Sequence, residues 1–423
     1  MTNILVFPAG TEIAFEIHAA LRDCKDIALF GASSVPCHAS FLFESCTDTI
    51  PYVDDPELVT ELNRLIDMWE IDYVYPAHDS ALLKLTEMQN QLKAKVVTSS
   101  LETVRICRDK RKTYEHLDGA WYLPKVYSYD EEVTFPVFIK PTVGQGSVGA
   151  RKIEDGEDLA KALKDGTDYV VCEYLPGDEY TVDCFTDSHG TLRYVGQRTR
   201  ERIRAGISVR SRFVDTTLKV RSIARSLNNA FHFNGAWFFQ IKGDENGEPV
   251  LLEVAPRIAG TMCLSRARGV NMPLLTMYNM WGKDVDVIWN EDPIMLDRAF
   301  ISRYDIDMNY DTVFVDFDDT LVDGRRPRAL LLAFLYQTRF KGKAVVLLTK
   351  HGNDIYQELE AYAIDWQLFN AIINVRRECD KTDYLQRDSI FIDDSFSERK
   401  KAWKKGIPVF DVDAVECLFD WRK

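Results

Sequence analysis

The hydrophobic and polar positions in the first hundred residues alternate between short apolar runs and stretches with helical spacing. The apolar runs are at 3–8, 27–31, 72–79 and 94–99, and FEIHAALRDC is one of the helical stretches between them. Strands that alternate with helices are typical of βαβ units and a parallel sheet. In such sheets ligands gather in the loops that follow the strands. The pattern therefore predicts a small α/β domain over residues 1–105.

The pattern changes after residue 105. Longer alternating runs at 134–142, 168–175 and 179–186 predict strands of an antiparallel or mixed sheet. The βα rhythm returns from residue 311, where five short strand candidates are TVFVDF, KAVVLLT, AIINV, SIFIDD and PVFDV. The predicted fold class is α/β and α+β in three domains, at 1–105, 106–305 and 306–423.

Composition narrows the class of protein. The chain has 423 residues and a formal net charge of −14, which disfavours a general nucleic-acid binder. No run of 18 or more apolar residues predicts a membrane span, and the N-terminus reads as a strand and not as a signal peptide. The nine cysteines include no CxxC pair, which favours reduced thiols in the cytoplasm. Oligomeric state is left open.

The middle region carries a lysine, a glycine-rich loop and a series of polar strand residues. In PVFIKPTVGQGSVGA (136–150), Lys140 ends a predicted strand and three glycines follow it. Glycine loops let backbone N–H groups close over phosphates, and the lysine adds a positive charge there. The polar residues that follow are, in chain order, Glu173, Glu179, Gln240, Glu253 and Arg257.

This order of motifs resembles the ATP-grasp family over residues 1–300, with its nearest likeness among ligases similar to the carbamoyl-phosphate synthase large chain. CRDKRKTYEHL (107–117) is similar to the family's Asp-Lys segment, and residues 1–105 resemble its Rossmann-like pre-grasp domain. The P-A-G at 8–10 lacks a dinucleotide fingerprint, so NAD is not predicted. The resemblance implies ATP and Mg²⁺ as cofactors. It also implies an ADP-forming ligase that joins a small-molecule carboxylate and a nucleophile through an acyl-phosphate.

The resemblance further implies a role for each matching residue. The lysines would hold the ATP phosphates, the loop residues would cover them, and the three residues from 173 would frame adenine, with Glu179 at the ribose. The implied nucleotide contacts are Lys110, Lys140, Gln145, Gly146, Ser147, Glu173, Tyr174, Leu175 and Glu179. Gln240 and Glu253 would hold Mg²⁺ through oxygen ligands. Arg257 would neutralise the transferring phosphoryl group.

Two features of this region leave questions open. Many ATP-grasp enzymes have Asn two places after the metal-binding Glu, but this chain has Ala255, which cannot ligate a metal. A domain that only binds nucleotide therefore stays an alternative. The stretch 194–212 contains six arginines, of which half would face solvent on a strand. We favour Arg204 and Arg210 for an anionic substrate, because arginine pairs bidentately with carboxylates and phosphates.

The stretch VFVDFDDTLV (313–322) places Asp316, Asp318 and Thr320 at the end of a predicted strand. Asp316 can attack phosphorus to form an aspartyl-phosphate. Asp318 can protonate the leaving oxygen and then activate water. Mg²⁺ would hold the first carboxylate and the phosphate together. Asp316, Asp318 and Thr320 form the DxDxT pattern and resemble the haloacid dehalogenase (HAD) superfamily over residues 310–423.

Further residues extend this second resemblance. Thr349 is the expected phosphate-binding hydroxyl, and Lys381 the expected cation, although Lys350, Arg376 and Arg377 compete for that role. Asp393 and Asp394 are the expected acids at and beside the metal, so the implied metal set is Asp316, Asp318 and Asp393.

The spacing of these motifs predicts the size of the domain. Only 28 residues separate Thr320 from Thr349, and 31 separate Thr349 from Lys381, so neither gap holds a cap domain. We therefore expect a capless HAD-like phosphatase that acts on a phosphorylated metabolite. The alternative is a catalytically silent docking or regulatory module, against which the intact Asp316 and Asp318 argue.

Overall fold

The computed structural model describes residues 1–128 and 131–422. The chain divides into two compact units, Met1–Phe300 and Ile301–Lys423. Within the described residues, no helix combines the length and the apolar character that a membrane crossing requires.

The first unit begins with a five-stranded parallel sheet in the order β3-β2-β1-β4-β5. This confirms the predicted βα pattern of the N-terminal residues. Its strands are β1 (Thr2–Phe7), β2 (Ile27–Ala32), β3 (Ser45–Thr47), β4 (Tyr73–Pro76) and β5 (Lys95–Val96). Its helices are α1 (Glu12–Leu21), α2 (Leu58–Met68) and α3 (Asp79–Glu87), and α4 (Leu101–Arg108) and α5 (Lys110–His116) follow it. Ile4 and Val6 of β1 pack in one core cluster and Leu5 and Phe7 in another, so both faces of the sheet are covered.

The middle of the chain forms three further sheets, whose pairings are antiparallel, as the alternating runs predict. Their orders are β6-β9-β7-β8, β11-β10-β14-β15 and β12-β13-β16. The strands are β6 (Val126–Tyr127), β7 (Val137–Pro141), β8 (Arg151–Ile153), β9 (Tyr169–Glu173), β10 (Glu179–Thr186), β11 (Leu192–Thr199), β12 (Arg202–Arg204), β13 (Ile207–Arg212), β14 (Gly235–Gly243), β15 (Pro249–Ala255) and β16 (Met295–Asp297). The helices are α6 (Gly156–Ala162), α7 (Leu218–Ala230), α8 (Cys263–Ala267) and α9 (Met272–Met280).

A hydrophobic core of the middle region lies between α7 and the sheet β11-β10-β14-β15. The buried residues of α7 recur at helical spacing and pack with Trp237 and Phe239 of β14. The buried α7 residues are Val220, Ile223, Ala224 and Leu227. This packing fixes the position of β14. Gln240 follows Phe239 in that strand, so its side chain lies on the opposite face of the sheet.

The second unit is a five-stranded parallel sheet in the order β19-β18-β17-β20-β21. All five strand candidates of the sequence are confirmed. The strands are β17 (Thr312–Val315), β18 (Ala344–Thr349), β19 (Ala371–Asn374), β20 (Ser389–Ile392) and β21 (Val409–Phe410), and the helices are α10 (Ala329–Phe340), α11 (Ile355–Ala361) and α12 (Phe396–Lys404). Val313 and Val315 pack in one core cluster and Phe314 in another, so β17 is covered on both faces. Asp316 directly follows this central strand, where a parallel sheet presents its ligand-binding edge.

Candidate active sites

A cleft in the first unit is lined by residues of β7, β9, β10, β14 and β15 and by the glycine loop between β7 and β8. It brings together residues that are more than 140 positions apart in the sequence. The predicted nucleotide and metal residues that line it are Lys110, Lys140, Gln145, Gly146, Ser147, Glu173, Leu175, Glu179, Gln240 and Glu253. Tyr174 is not among the lining residues; its ring instead lies beneath the ammonium groups of Lys152 and Lys242.

Lys140 is the most buried cation of this cleft. Its side chain lies in the interior, where Nζ donates hydrogen bonds to the Tyr114 hydroxyl and, over 3.0 Å, to the Leu252 carbonyl. Both partners are neutral, and no ion pair joins Lys140 to a carboxylate in the described part of the chain. A buried cation without a counter-ion is costly, so this arrangement favours an anionic ligand in the cleft.

Lys110 reaches the same cleft from the first residue of α5. The Asp109 carboxylate caps this helix by accepting hydrogen bonds from the backbone N–H groups of Arg111 and Lys112. Burial lowers the pKa of Lys110, and the nearby Lys140 lowers it further, while Glu253 acts in the opposite direction. Two lysines thus face one space, which strengthens its attraction for a polyanion.

The glycine loop takes backbone conformations that most side chains avoid. Gly146 has a φ of +60° and Ser147 a φ of +58°. Arg108 donates a 3.0 Å hydrogen bond from Nη1 to the Gly144 carbonyl. A Cβ atom on Gly206, in the turn between β12 and β13, would lie 2.2 Å from the Gly146 carbonyl carbon. Only glycine allows this close backbone approach, so that turn and the glycine loop fit against each other.

The predicted metal ligands stand side by side on neighbouring strands. Gln240 of β14 and Glu253 of β15 are direct partners in the antiparallel register, and both line the cleft. Side chains of opposed residues lie on the same face of a sheet. Their oxygens are the kind of ligand that Mg²⁺ prefers, so the pair fits a Mg²⁺ ion.

A second cleft continues from the first and shares Lys110, Gln240 and Glu253 with it. It also contains Arg257, whose Nε and Nη2 each donate a 2.6 Å hydrogen bond to Asp79 at the start of α3. Burial disfavours the Asp79 carboxylate, but the Arg257 guanidinium outweighs burial and lowers the pKa of Asp79 to about 2. Asp79 therefore orients Arg257, a partner that no local sequence pattern indicates.

The arginines that we favoured for an anionic substrate, Arg204 and Arg210, lie outside both clefts. Arg204 is exposed, and Arg210 pairs with Glu201 and Asp297 at 3.2 Å each; neither lines the two clefts. Arg200, which sequence reasoning passed over, lines both clefts and pairs with Glu179 at 2.7 Å. The strand pattern could not separate these arginines, because β11 ends at residue 199 and Arg200 lies in the turn beyond it.

In the second unit, one lysine lies between two aspartates at the edge of the sheet. Lys381, from the short 3-10 helix Lys381–Asp383, places Nζ 2.8 Å from Asp316 Oδ1 and 2.8 Å from Asp393 Oδ2. Of the competing cations, Arg376 and Arg377 are exposed and Lys350 pairs with Glu398. The structure thus selects Lys381 as the cation beside Asp316.

The acids of this site share one space. Oxygens of Asp316, Asp393 and Asp394 lie within 4.8 Å of one another, a spacing that suits one divalent cation. Burial and the Asp316 charge raise the pKa of Asp393 to about 6, and burial also raises the pKa of Asp316. Thr320 donates a 2.9 Å hydrogen bond to Asp394.

Two further residues complete the surroundings of this site. Thr349 ends β18 and is fully buried. His351, two residues later, places Nδ1 2.9 Å from both carboxylate oxygens of Asp318. Sequence reasoning missed this histidine, although its position directly after a strand end was a usable signal.

Comparisons with known proteins bear on the first unit. Residues 165–296 match the family model described as "ATP-grasp in the biosynthetic pathway with Ter operon". The chain is 28% identical over 139 residues, 32% of its length, to the 3-methyl-D-ornithine–L-lysine ligase of Methanosarcina mazei. That match covers 34% of the relative, so it spans about a third of the relative's own length.

Solved structures agree on the fold. N5-carboxyaminoimidazole synthetase from Staphylococcus aureus, complexed with ADP, has a TM-score of 0.57 at 15% identity, over 70% of this chain and 81% of that one. L-amino acid ligase from Bacillus licheniformis has a TM-score of 0.52 at 18% identity, over 66% and 74%. Over about two thirds of this chain, the mixed α/β fold is therefore the ATP-grasp fold. ATP and Mg²⁺ are the cofactors that enzymes of this fold use.

Proposed function

We propose that this protein is an ATP-dependent ligase that joins a small-molecule carboxylate to an amine or similar nucleophile. The observation that carries the proposal is the first cleft, where Lys110, Lys140, Gln240 and Glu253 face the same space. Two similar proteins are amino acid ligases by name. We also propose the three-domain division at 1–105, 106–305 and 306–423, of which the first two domains form the ligase.

The reaction we propose proceeds through an acyl-phosphate. A carboxylate oxygen of the substrate attacks the terminal phosphorus of ATP, and the bond to ADP breaks. The amine then attacks the acyl carbon, the bond to phosphate breaks, and the amine loses a proton as the amide forms. Lys110 and Lys140 hold the phosphates, the loop from Gln145 to Ser147 covers them, and Arg257, oriented by Asp79, faces the transferring group.

Nucleotide and metal positions follow from the same cleft. Glu173 and Leu175, which line the cleft on either side of Tyr174 in the chain, frame adenine in this proposal, and Glu179 binds the ribose hydroxyls. When bound, Mg²⁺ supplies charge neutralisation to the phosphates, and Gln240 and Glu253 are its ligands. Ala255 would contribute no ligand to that ion.

The test is a screen of carboxylate and amine pairs for ADP release, run on the Asp316→Asn variant to silence the second unit. We expect one pair to release ADP only when both partners are present, with the amide visible by mass spectrometry. ATP binding without a carboxylate-dependent ADP release from any pair would instead support a domain that only binds nucleotide.

For the second unit we propose a capless HAD-like phosphatase. The supporting observation is the placement of Lys381 between Asp316 and Asp393, with Asp394 in the same space. Asp316 attacks phosphorus while Asp318 gives its proton to the leaving oxygen, and the bond to that oxygen breaks. Asp318 then accepts a proton from water, whose oxygen attacks phosphorus and releases Asp316 and inorganic phosphate.

The remaining groups of the second unit hold the phosphate and the metal. Thr349 and Lys381 bind the phosphoryl oxygens. Asp316, Asp318 and Asp393 would hold Mg²⁺, which would supply charge neutralisation to the phosphate. The substrate is a phosphorylated metabolite. Hydrolysis of an aryl phosphate in Mg²⁺ that stops in EDTA supports this activity. No hydrolysis of any phosphoester, with no Mg²⁺ bound, supports the alternative of a docking or regulatory module.

A further inference from the structure

His351 contacts the Asp318 carboxylate. Its Nδ1 lies 2.9 Å from both Oδ1 and Oδ2 of that group, so one ring nitrogen is shared between the two oxygens. The Asp318 side chain is 52% exposed, so without this contact nothing described in the structure would fix its rotamer.

His351 is itself held firmly. Its side chain is only 11% exposed, and its ring packs edge-on against Phe317 with the ring centres 5.2 Å apart. Its backbone carbonyl accepts a 3.0 Å hydrogen bond from the side chain of Asn374 at the end of β19. Its Nε2 lies 3.6 Å from Glu358 of α11. The ring is thus packed against Phe317 and its backbone is bonded to β19, whereas Nε2 has no hydrogen-bond partner among the described residues. The exposed aspartate is the more movable partner of the pair.

We propose that His351 is a positioning residue for Asp318, which it holds as the proton donor to the leaving group. This inference rests on the phosphatase proposed above. General acid catalysis requires that the donor stay within hydrogen-bond reach of the leaving oxygen. In a domain without a cap, no cap residue is present to orient Asp318, and the strand-end histidine takes that place.

The role predicts a specific kinetic pattern. A poor leaving group needs a proton in the transition state, whereas a good one departs as an anion with little help. Loss of His351 should therefore slow hydrolysis of phenyl phosphate more than that of 4-nitrophenyl phosphate. A residue that only stabilises the fold would slow both esters by the same factor.

The experiment compares His351→Phe with His351→Asn in the full chain with Mg²⁺. His351→Phe keeps an aromatic ring against Phe317 but removes the donor. His351→Asn places an amide N–H close to the position of Nδ1. We expect His351→Phe to lower kcat about tenfold or more on phenyl phosphate and about twofold or less on 4-nitrophenyl phosphate. We expect His351→Asn to recover part of the loss.

A double-mutant cycle completes the test. In the Asp318→Asn background, His351→Phe should have no further effect, because the two residues act through one contact. Equal losses on both esters, or a full additional loss in the Asp318→Asn background, would overturn the positioning role. Faster hydrolysis by His351→Phe would also overturn it, since the histidine would then hold the acid away from the substrate. A wild-type protein that hydrolyses neither ester would overturn the phosphatase proposal itself.

Discussion

Each unit of this protein buries one lysine in its candidate site, and the two lysines have opposite surroundings. Within the described residues, Lys140 donates hydrogen bonds to two neutral groups, the hydroxyl of Tyr114 and the carbonyl of Leu252. Lys381 lies between the carboxylates of Asp316 and Asp393. The first lysine lacks a counter-ion until an anion enters the cleft. The positive charge of the second lysine is already balanced by two carboxylates of the protein, so this lysine stabilises those acids whether or not a substrate is bound.

Under the functions proposed above, the difference corresponds to two kinds of phosphate site. A cleft with free positive charge favours a polyanion that brings its own cation, as ATP brings Mg²⁺. A site with more acids than bases favours a metal ion first and a phosphate ester second. Four variants test this contrast between a cleft with excess positive charge and a site with excess acids, from the largest expected effect to the smallest.

Asp316→Asn should affect only the second unit. An amide is a poor nucleophile and a weaker Mg²⁺ ligand, so phosphatase activity should fall on the order of 10⁴-fold or more. ATP affinity, measured by calorimetry, should stay unchanged, because the predicted ATP ligands all belong to residues 1–300. An unchanged rate of phosphoester hydrolysis would show that Asp316 is not the nucleophile.

Lys381→Met should make the second unit depend on metal for its stability. Removing the lysine leaves Asp316 and Asp393 facing each other, and in EDTA this should lower the free energy of unfolding by roughly 3 kcal/mol. Mg²⁺ should restore part of the loss. Hydrogen exchange of the β17 and β20 amides is the measurement. Lys404→Met, an exposed lysine of α12, is the control, and an equal loss in both variants would contradict the prediction.

Lys140→Ala should weaken ATP binding in Mg²⁺ by about 1.5–3 kcal/mol, the size of a charge-assisted hydrogen bond. Calorimetry measures the affinity, and phosphoester hydrolysis by the same sample shows whether the second unit is intact. Lys164→Ala changes an exposed lysine outside the cleft and should leave the affinity unchanged. Unaltered ATP affinity in a folded Lys140→Ala protein would remove Lys140 from the site.

Ala255→Asn should have the smallest effect. Ala255 lines the second cleft two residues beyond Glu253, so an amide oxygen there could join the metal ligands. We expect Mg²⁺ to support ATP turnover at about fivefold lower concentration, a gain of roughly 1 kcal/mol. A large loss of turnover with the fold intact would show that the alanine leaves room for substrate.

Most of the fold was accessible from the sequence. The period-two runs around Lys140, Glu173 and Glu179 and the apolar strands before Asp316 predicted strands that the structure confirms. Such signals are local, because a strand displays its two faces in its own residue pattern. The chemistry of the candidate sites was partly accessible for the same reason, since strand ends in α/β sheets carry the ligands.

The sequence by itself placed Lys140, Asp316 and Asp393 at or near the ends of strands, and the order of its motifs named Glu253. Only the tertiary structure decided their partners. Asp79 and Arg257 are 178 positions apart, and no local pattern joins them. Likewise, Arg200 and not Arg210 lines the clefts. The physical reason is that a hydrogen bond or ion pair requires atoms within about 3 to 4 Å, and only strand register and packing bring distant residues that close.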